Sequence, residues 1–161
     1  MKVAAGRPCP LCEAPLAQTR LPHFSGDESP LRVTLRAMPA LQCATRHTYF
    51  MKPAFPLWLT RHLVTHDEPG LPTARSSGRF FRKYACVECG ASLSARPDHR
   101  YSFWFDLAFE GDAPFAVEIT MPVFRCAGCG TEQIDSLDRL RALTPAALVH
   151  AFKGAGIKPP G

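Results

Sequence analysis

All seven cysteines of this 161-residue chain fall into two groups that each open with a CxxC pair. Cys86 and Cys89, then Cys126 and Cys129, make a CxxC…CxxC set, with Gly90 and Gly130 directly after each pair. A Cys-x-x-Cys-Gly knuckle suits a metal ion because backbone amides can point at the thiolates and glycine permits the tight turn. Four thiolates favour zinc, with iron as the rival. Cys9, Cys12 and Cys43 match the first three of these cysteines, but Arg46 stands where Cys129 would, and His47 is the next residue. Histidine reaches further than cysteine, so Cys-x-x-x-His can close a tetrahedral site of three thiolates and one imidazole. His23 is a substitute ligand, and an exposed His47 beside a metal-free site is the alternative. The expected complement is two structural Zn2+ ions per chain. His62 and His66, four residues apart, could share one helix face, but Glu68 follows the second histidine rather than the first, so no HExxH site is formed. They are expected to be surface or packing histidines.

The elements that carry these ligands are repeated as well. Each copy opens with CxxC, runs for about thirty residues and closes with Met38-Pro39-Ala40-Leu41-Gln42-Cys43 or Met121-Pro122-Val123-Phe124-Arg125-Cys126. Between them, Phe24-Ser25-Gly26-Asp27 matches Phe109-Glu110-Gly111-Asp112, a turn-forming Gly-Asp pair. Pro30-Leu31-Arg32-Val33-Thr34-Leu35 matches Pro114-Phe115-Ala116-Val117-Glu118-Ile119, and one-residue insertions suffice to keep these matches in register through to the closing cysteine. In the second copy Tyr101, Phe103, Phe105, Leu107 and Phe109 alternate with smaller or polar residues, and Phe115, Val117, Ile119 and Met121 alternate likewise. Both runs have the period of a strand, so a long hairpin with an apolar inner face joins the cysteine pairs. Trp104 lies on the opposite face, either covered by helices or left for a partner.

This pattern predicts a small, metal-stabilised α+β protein: two tandem zinc-ribbon β-hairpin units, a short connecting helix and C-terminal helices. Residues 1–52 form ribbon 1, 53–85 a helix plus linker, 86–134 ribbon 2, and 135–161 the C-terminal helices and tail. Leu57, Leu59, Leu63 and Val64 place the connecting helix between Pro56 and His66, and Pro69 to Gly78 is rich in Pro, Gly and Ser, as a linker would be. Leu137, Leu140 and Leu143 recur at helical spacing, after which Thr144-Pro145 offers a fresh helix start and Gly154 a stop. The tail from Ala155 is expected to be loose. Ribbons of this size bury too little apolar surface to fold alone, which makes metal a natural staple.

No stretch approaches the roughly 18 apolar residues that span a bilayer, and residues 1–12 lack the apolar run of a signal peptide. An odd cysteine count then argues against a secreted disulfide framework. A cytoplasmic protein with no membrane partner is expected. The formal charge of +5 falls to about +2 once seven thiolates and two divalent ions are counted. Residues 1–85 carry 12 Lys/Arg against 5 Asp/Glu, and residues 86–161 carry 7 against 9, so any electrostatic attraction for acidic partners lies in the front half.

Residues 9–50, and more weakly 86–134, resemble the YgiT-type zinc finger of certain bacterial antitoxins, through Cys9-Pro10-Leu11-Cys12 and the Met38 to Cys43 closing segment. The resemblance implies a structural zinc held by four cysteines and a domain that contacts a protein partner. The chain departs from that family at His47, and its C-terminal helices are too few for a helix-turn-helix repressor domain.

Three functions are compatible with these residues. The preferred one is a non-enzymatic adaptor or regulatory subunit, because fully ligated zinc is structural and no Ser-His-Asp set, nucleotide loop or acid–base pair is present. The second is nucleic-acid binding, since Arg75, Arg79, Arg82 and Lys83 surround Phe80, Phe81 and Tyr84, though a plain linker with solvated arginines explains the same residues. The third is rubredoxin-like electron transfer by iron at the second site.

Overall fold

The computed structural model describes residues 5–65 and 70–158. In chain order the elements are β1 (Ala17–Glu28), β2 (Leu31–Gln42), β3 (Thr48–Phe50), α1 (Phe55–Thr65), β4 (Arg75–Ser77), β5 (Lys83–Ala85), β6 (His99–Leu107), β7 (Phe115–Arg125), β8 (Glu132–Gln133), α2 (Leu137–Gly154) and β9 (Ile157–Lys158). β1 and β2 form one antiparallel hairpin, from Ala17 opposite Gln42 to Glu28 opposite Leu31. β6 and β7 form the other, from His99 opposite Val123 to Leu107 opposite Phe115.

The hairpins do not stand apart. β2 pairs antiparallel with β7 from Arg32–Thr120 to Arg36–Ala116, which fuses them into one sheet with β1 and β6 outermost over that stretch. The pair at the middle of this seam is Thr34–Glu118. These are the two positions that the sequence repeat matches to each other, so the seam relates the hairpins by a local two-fold axis. One face of the sheet is apolar. Leu31, Val33 and Leu35 of β2 and Phe115, Val117 and Ile119 of β7 alternate inward and are buried. With Phe55, Leu59, Leu148 and Phe152 of the helices they make a single core, which draws on all four segments of the expected domain division.

Both helices lie on that face. α1 buries Phe55, Leu59 and Leu63, while Leu57, one of the residues that point to this helix in the sequence, is 57 % exposed. Phe55 meets Phe115 at 5.5 Å between ring centroids, and Trp58 meets Phe109 at 4.8 Å. The C-terminal region is one helix rather than two. Ser136 caps it by accepting from the Arg139 amide at 3.2 Å, and the helix continues through Pro145. Leu140, Thr144, Ala147, Leu148, Ala151 and Phe152 form an unbroken buried stripe across the proline. Packing that stripe on β1 and β2 outweighs the one backbone bond that proline cannot donate.

Three loop expectations also change. Gly26-Asp27 is not the first turn: β1 runs through it and the chain reverses at Ser29-Pro30, whereas Gly111-Asp112 does lie in the second turn. The glycine serves a close approach instead. A Cβ on Gly26 would overlap the Ala147 carbonyl oxygen and the Ala151 amide nitrogen of α2. Beside it His150 Nδ1 donates to the Asp27 carbonyl at 2.6 Å. The expected linker is docked from Leu71 onward: Ala74 N donates to Ile134 O at 2.8 Å, Ile134 N to Pro72 O at 3.0 Å, and β4 pairs with β5. Its first residue, Pro69, lies outside the described residues. The tail expected to be loose adds Ile157 and Lys158 to the sheet, parallel to β3, with Ile157 buried; residues 159–161 lie outside the description. No helix among the described residues is long and apolar enough to cross a membrane.

The close approach at Gly26 yields a test. Gly26→Ala should lower unfolding free energy by about 1–3 kcal/mol, because helix backbone rather than a side chain must move. Gly154→Ala meets open space and should be neutral or slightly stabilising. Urea unfolding of both variants checks the contrast.

Candidate metal centres

The antiparallel seam puts the closing ends of β2 and β7, and therefore the two cysteine groups, at opposite ends of the sheet. Three of the four loops that hold them are built alike. In the opening loops Cys9 N donates to Ala14 O at 2.7 Å and Cys86 N to Ala91 O at 2.8 Å, while Glu13 N returns to Cys9 O and Gly90 N to Cys86 O. The residue after the second cysteine takes a left-handed conformation, φ +63° at Glu13 and +76° at Gly90. The loop after Cys126 repeats this with Thr131 and Gly130.

The fourth loop is one residue shorter. Cys43 N donates to His47 O at 3.2 Å, and Arg46, at φ +66°, is the left-handed residue whose amide returns to Cys43 O. In backbone terms His47 therefore stands where Thr131 stands, not where Cys129 does. A cysteine side chain at that place would be too short, and imidazole spans the gap.

The side chains converge in both cases. Cys9, Cys12, Cys43 and His47 form one group and Cys86, Cys89, Cys126 and Cys129 the other, each with all ligand atoms within 4.8 Å of one another. Close edges are 3.5 Å from His47 Nδ1 to the Sγ atoms of Cys9 and of Cys43, and 3.6 Å between Cys12 and Cys43. In the second group Cys86–Cys129 and Cys89–Cys126 are both 3.5 Å. A tetrahedral ion with metal–sulfur bonds of about 2.3 Å needs edges of about 3.8 Å, so both groups fit with a slight expansion. Either can hold a metal ion. In each group two ligands are buried; the outer pair is half-buried in the first and exposed in the second.

Two buried residues that spacing did not single out complete the sites. Tyr49 lies opposite Leu41 and Gln133 opposite Phe124, each two residues before the closing cysteine. Tyr49 Oη reaches Cys9 Sγ at 3.5 Å, and Gln133 Nε2 donates to Cys86 Sγ at 3.2 Å while its Oε1 accepts from Val87 N at 2.8 Å. Thus each first cysteine receives a contact from the short strand after the closing loop. The sequence carries no spacing signal for this, because the relation is cross-strand. Thr45 is also new: its hydroxyl lies 3.2 Å from Cys12 Sγ, 3.1 Å from Cys43 Sγ and 3.2 Å from His47 Nδ1. Gly128, at the matching place in the second group, leaves that side uncovered.

These contacts divide the thiols by charge. Burial pushes Cys9 up, but the Tyr49 hydroxyl and the Leu11 and Cys12 amides outweigh it and hold the thiol at about 6. Cys86 is held at about 6 by the Gln133 amide and the Cys89 and Glu88 backbone. Cys89 moves the other way. The Ala91 amide favours its thiolate, yet the crowded Cys126 and Cys129 sulfurs push it up to about 12. Crowded sulfurs cannot all ionise by themselves, and a cation removes that restriction.

The other expected site residues lie elsewhere. His23 sits midway along β1 opposite Arg36, away from the cluster ligands. His62 lies against Trp58 with ring centroids 5.6 Å apart and the planes tilted, and His66 is outside the described residues. Trp104 is 44 % exposed on the polar face of the sheet, with the Arg36 guanidinium 4.3 Å above its ring. Arg75, Arg79, Arg82 and Lys83 are exposed on the β4–β5 hairpin and its turn. No family model matches the chain, and neither a curated protein nor a solved structure does. The fold and the two clusters define a small α+β protein with two potential metal centres.

Cys86 is ordinarily a thiol up to about pH 9.0 but here keeps its thiolate down to about pH 6. Its contribution to metal retention is therefore complete at high pH and is lost as pH falls through that value. Gln133→Leu removes the donor, raises this threshold and should make metal leave at higher pH, with affinity about 10–100-fold weaker. Tyr49→Phe should do the same at the first site. Chelator competition across a pH series measures both.

Proposed function

We propose that the chain is a non-enzymatic tandem zinc-ribbon protein that acts as an adaptor or regulatory subunit, with two structural zinc ions. The observation that carries this reading is that each cluster brings four protein donors to tetrahedral edge lengths, which leaves no ligand position for a substrate. Thiolate-rich donor sets favour zinc among the divalent ions that occupy such geometry. The likeness of residues 9–50 to a YgiT-type zinc finger adds protein contact as the role of such a domain.

The partner would meet the sheet. Its polar face carries cross-strand rows: Ser25 and Thr34 hydroxyls bond at 2.8 Å, and Ser102 and Thr120 at 2.7 Å. Trp104 supplies the large aromatic side chain there, and interfaces are enriched in such anchors. β6 also leaves one edge unpaired among the described residues, which can accept a partner strand.

Elemental analysis of the purified protein should give two zinc per chain, and His47→Ala should give one. Chelation should lower the thermal midpoint and the near-ultraviolet aromatic signal, because metal binding free energy is folding free energy in such sites. A red preparation would assign iron and electron transfer instead. Co-purification from the native host should recover a protein partner whose yield falls with Trp104→Ala at unchanged zinc content; equal recovery would remove Trp104 from the interface.

A further inference from the structure

Every residue from Arg75 to Lys83 is exposed, on both strands of the β4–β5 hairpin and in the turn between them. The last paired residues are Ser77 and Lys83, and Gly78-Arg79-Phe80-Phe81-Arg82 forms the turn. At its tip Phe80 is 92 % and Phe81 85 % exposed, above all other large apolar side chains among the described residues. Folding gains nothing from two rings left in water, so this pair needs an explanation outside the core. Around it, Arg75, Arg79, Arg82 and Lys83 make no ion pair or side-chain hydrogen bond among the described residues. From Gly70 to Val87 the chain has no carboxylate at all.

We infer that the β4–β5 hairpin is a binding arm for single-stranded nucleic acid. The charge calls for an anionic ligand, and the turn's side chains narrow its chemistry. Phe80, Phe81 and the guanidinium groups of Arg79 and Arg82 are all planar and all stack on bases. No aliphatic side chain is present in the turn, although leucine, isoleucine or methionine would serve a bilayer or an apolar protein pocket equally well. Phosphates are met by the cations and by the hydroxyls of Ser76 and Ser77. Stacking needs free base faces, which a single strand offers and a duplex does not. The arm is convex and short, so its footprint is a few nucleotides and it reads no sequence. This inference goes beyond the adaptor reading and does not rest on it, since the arm contains no metal ligand.

The test uses the metal-loaded full chain and a fluorescent oligothymidylate of about 15 nucleotides, with binding read by anisotropy across about 50–200 mM salt. Four phosphate contacts predict a slope of log affinity on log salt of about −2 to −3. Phe80→Ala with Phe81→Ala should weaken binding at least about fivefold and leave the slope unchanged, because it removes stacking alone. Arg79→Ala with Arg82→Ala should reduce the slope by about 1.4. All substituted residues are exposed, and metal content measured on each variant separates a lost arm from a lost metal site. Absence of binding by the wild-type chain at about 50 mM salt overturns the inference. So does undiminished affinity without both rings, an unchanged slope without both arginines, or binding to phosphatidylserine vesicles in place of the oligonucleotide.

Discussion

Five residue pairs between β2 and β7 hold the rest of the structure in place. Either hairpin alone would be a two-stranded ribbon, which is marginal in water because it has too little apolar face to bury. Joined along Arg32–Thr120 to Arg36–Ala116, the two present one wide apolar face, and α1 and α2 have something to cover. Because the seam is antiparallel and centred on Thr34–Glu118, it also fixes where the cysteine groups lie: one at each end of the sheet, never side by side. The turn of the second hairpin is tied to the segment between β3 and α1 by Lys52, which pairs with Glu110 at 3.3 Å and Asp112 at 3.5 Å, and to β1 by Arg20, which donates to the Pro114 carbonyl at 2.8 Å. These contacts are peripheral to the apolar seam, and the exposed ones add little by themselves.

The difference in ligands between the two clusters follows from one missing residue in a loop. With the closing loop after Cys43 shortened, the left-handed residue moves forward to Arg46 and the next side chain starts further from the other ligands. Histidine restores the distance, and Nδ1, the nitrogen nearer its backbone, is the atom that faces the cysteines. Thr45, two residues after Cys43 as Gly128 is two after Cys126, adds a hydroxyl over the first cluster. The shorter loop and the longer ligand are thus one change rather than two, and the covering hydroxyl is a second.

Much of this was legible in the residues. The ligand sets were visible because cysteine spacing is local and the knuckle is a local structure. The strands β6 and β7 were visible because Phe103, Phe105, Val117 and Ile119 alternate with period two. The errors came where tertiary packing overrode a local signal. Thr144-Pro145 is a good helix start in isolation, yet the stripe from Leu140 to Phe152 keeps one helix running through it. Gly26-Asp27 has turn composition, yet Gly26 is there because helix backbone passes against it. Tyr49 and Gln133 were invisible for a different reason: their value lies in facing a cysteine about 40 or more residues earlier, and no spacing rule reaches that far.

The same logic separates the protein's surfaces. A residue buried by the shared core is explained by folding, and a polar residue paired across the sheet, as Ser102 with Thr120, is explained by the sheet itself. What remains are side chains that neither account uses. Trp104 is one, steadied by Arg36 but left open to solvent. Phe80 and Phe81, the most exposed of them, are two more, at the turn of the β4–β5 hairpin. The cysteine groups lie at the two ends of the sheet and the core holds the sheet between them. Because the shared core accounts for the buried side chains and the sheet for its paired polar ones, the exposed aromatics are the residues that folding leaves unexplained.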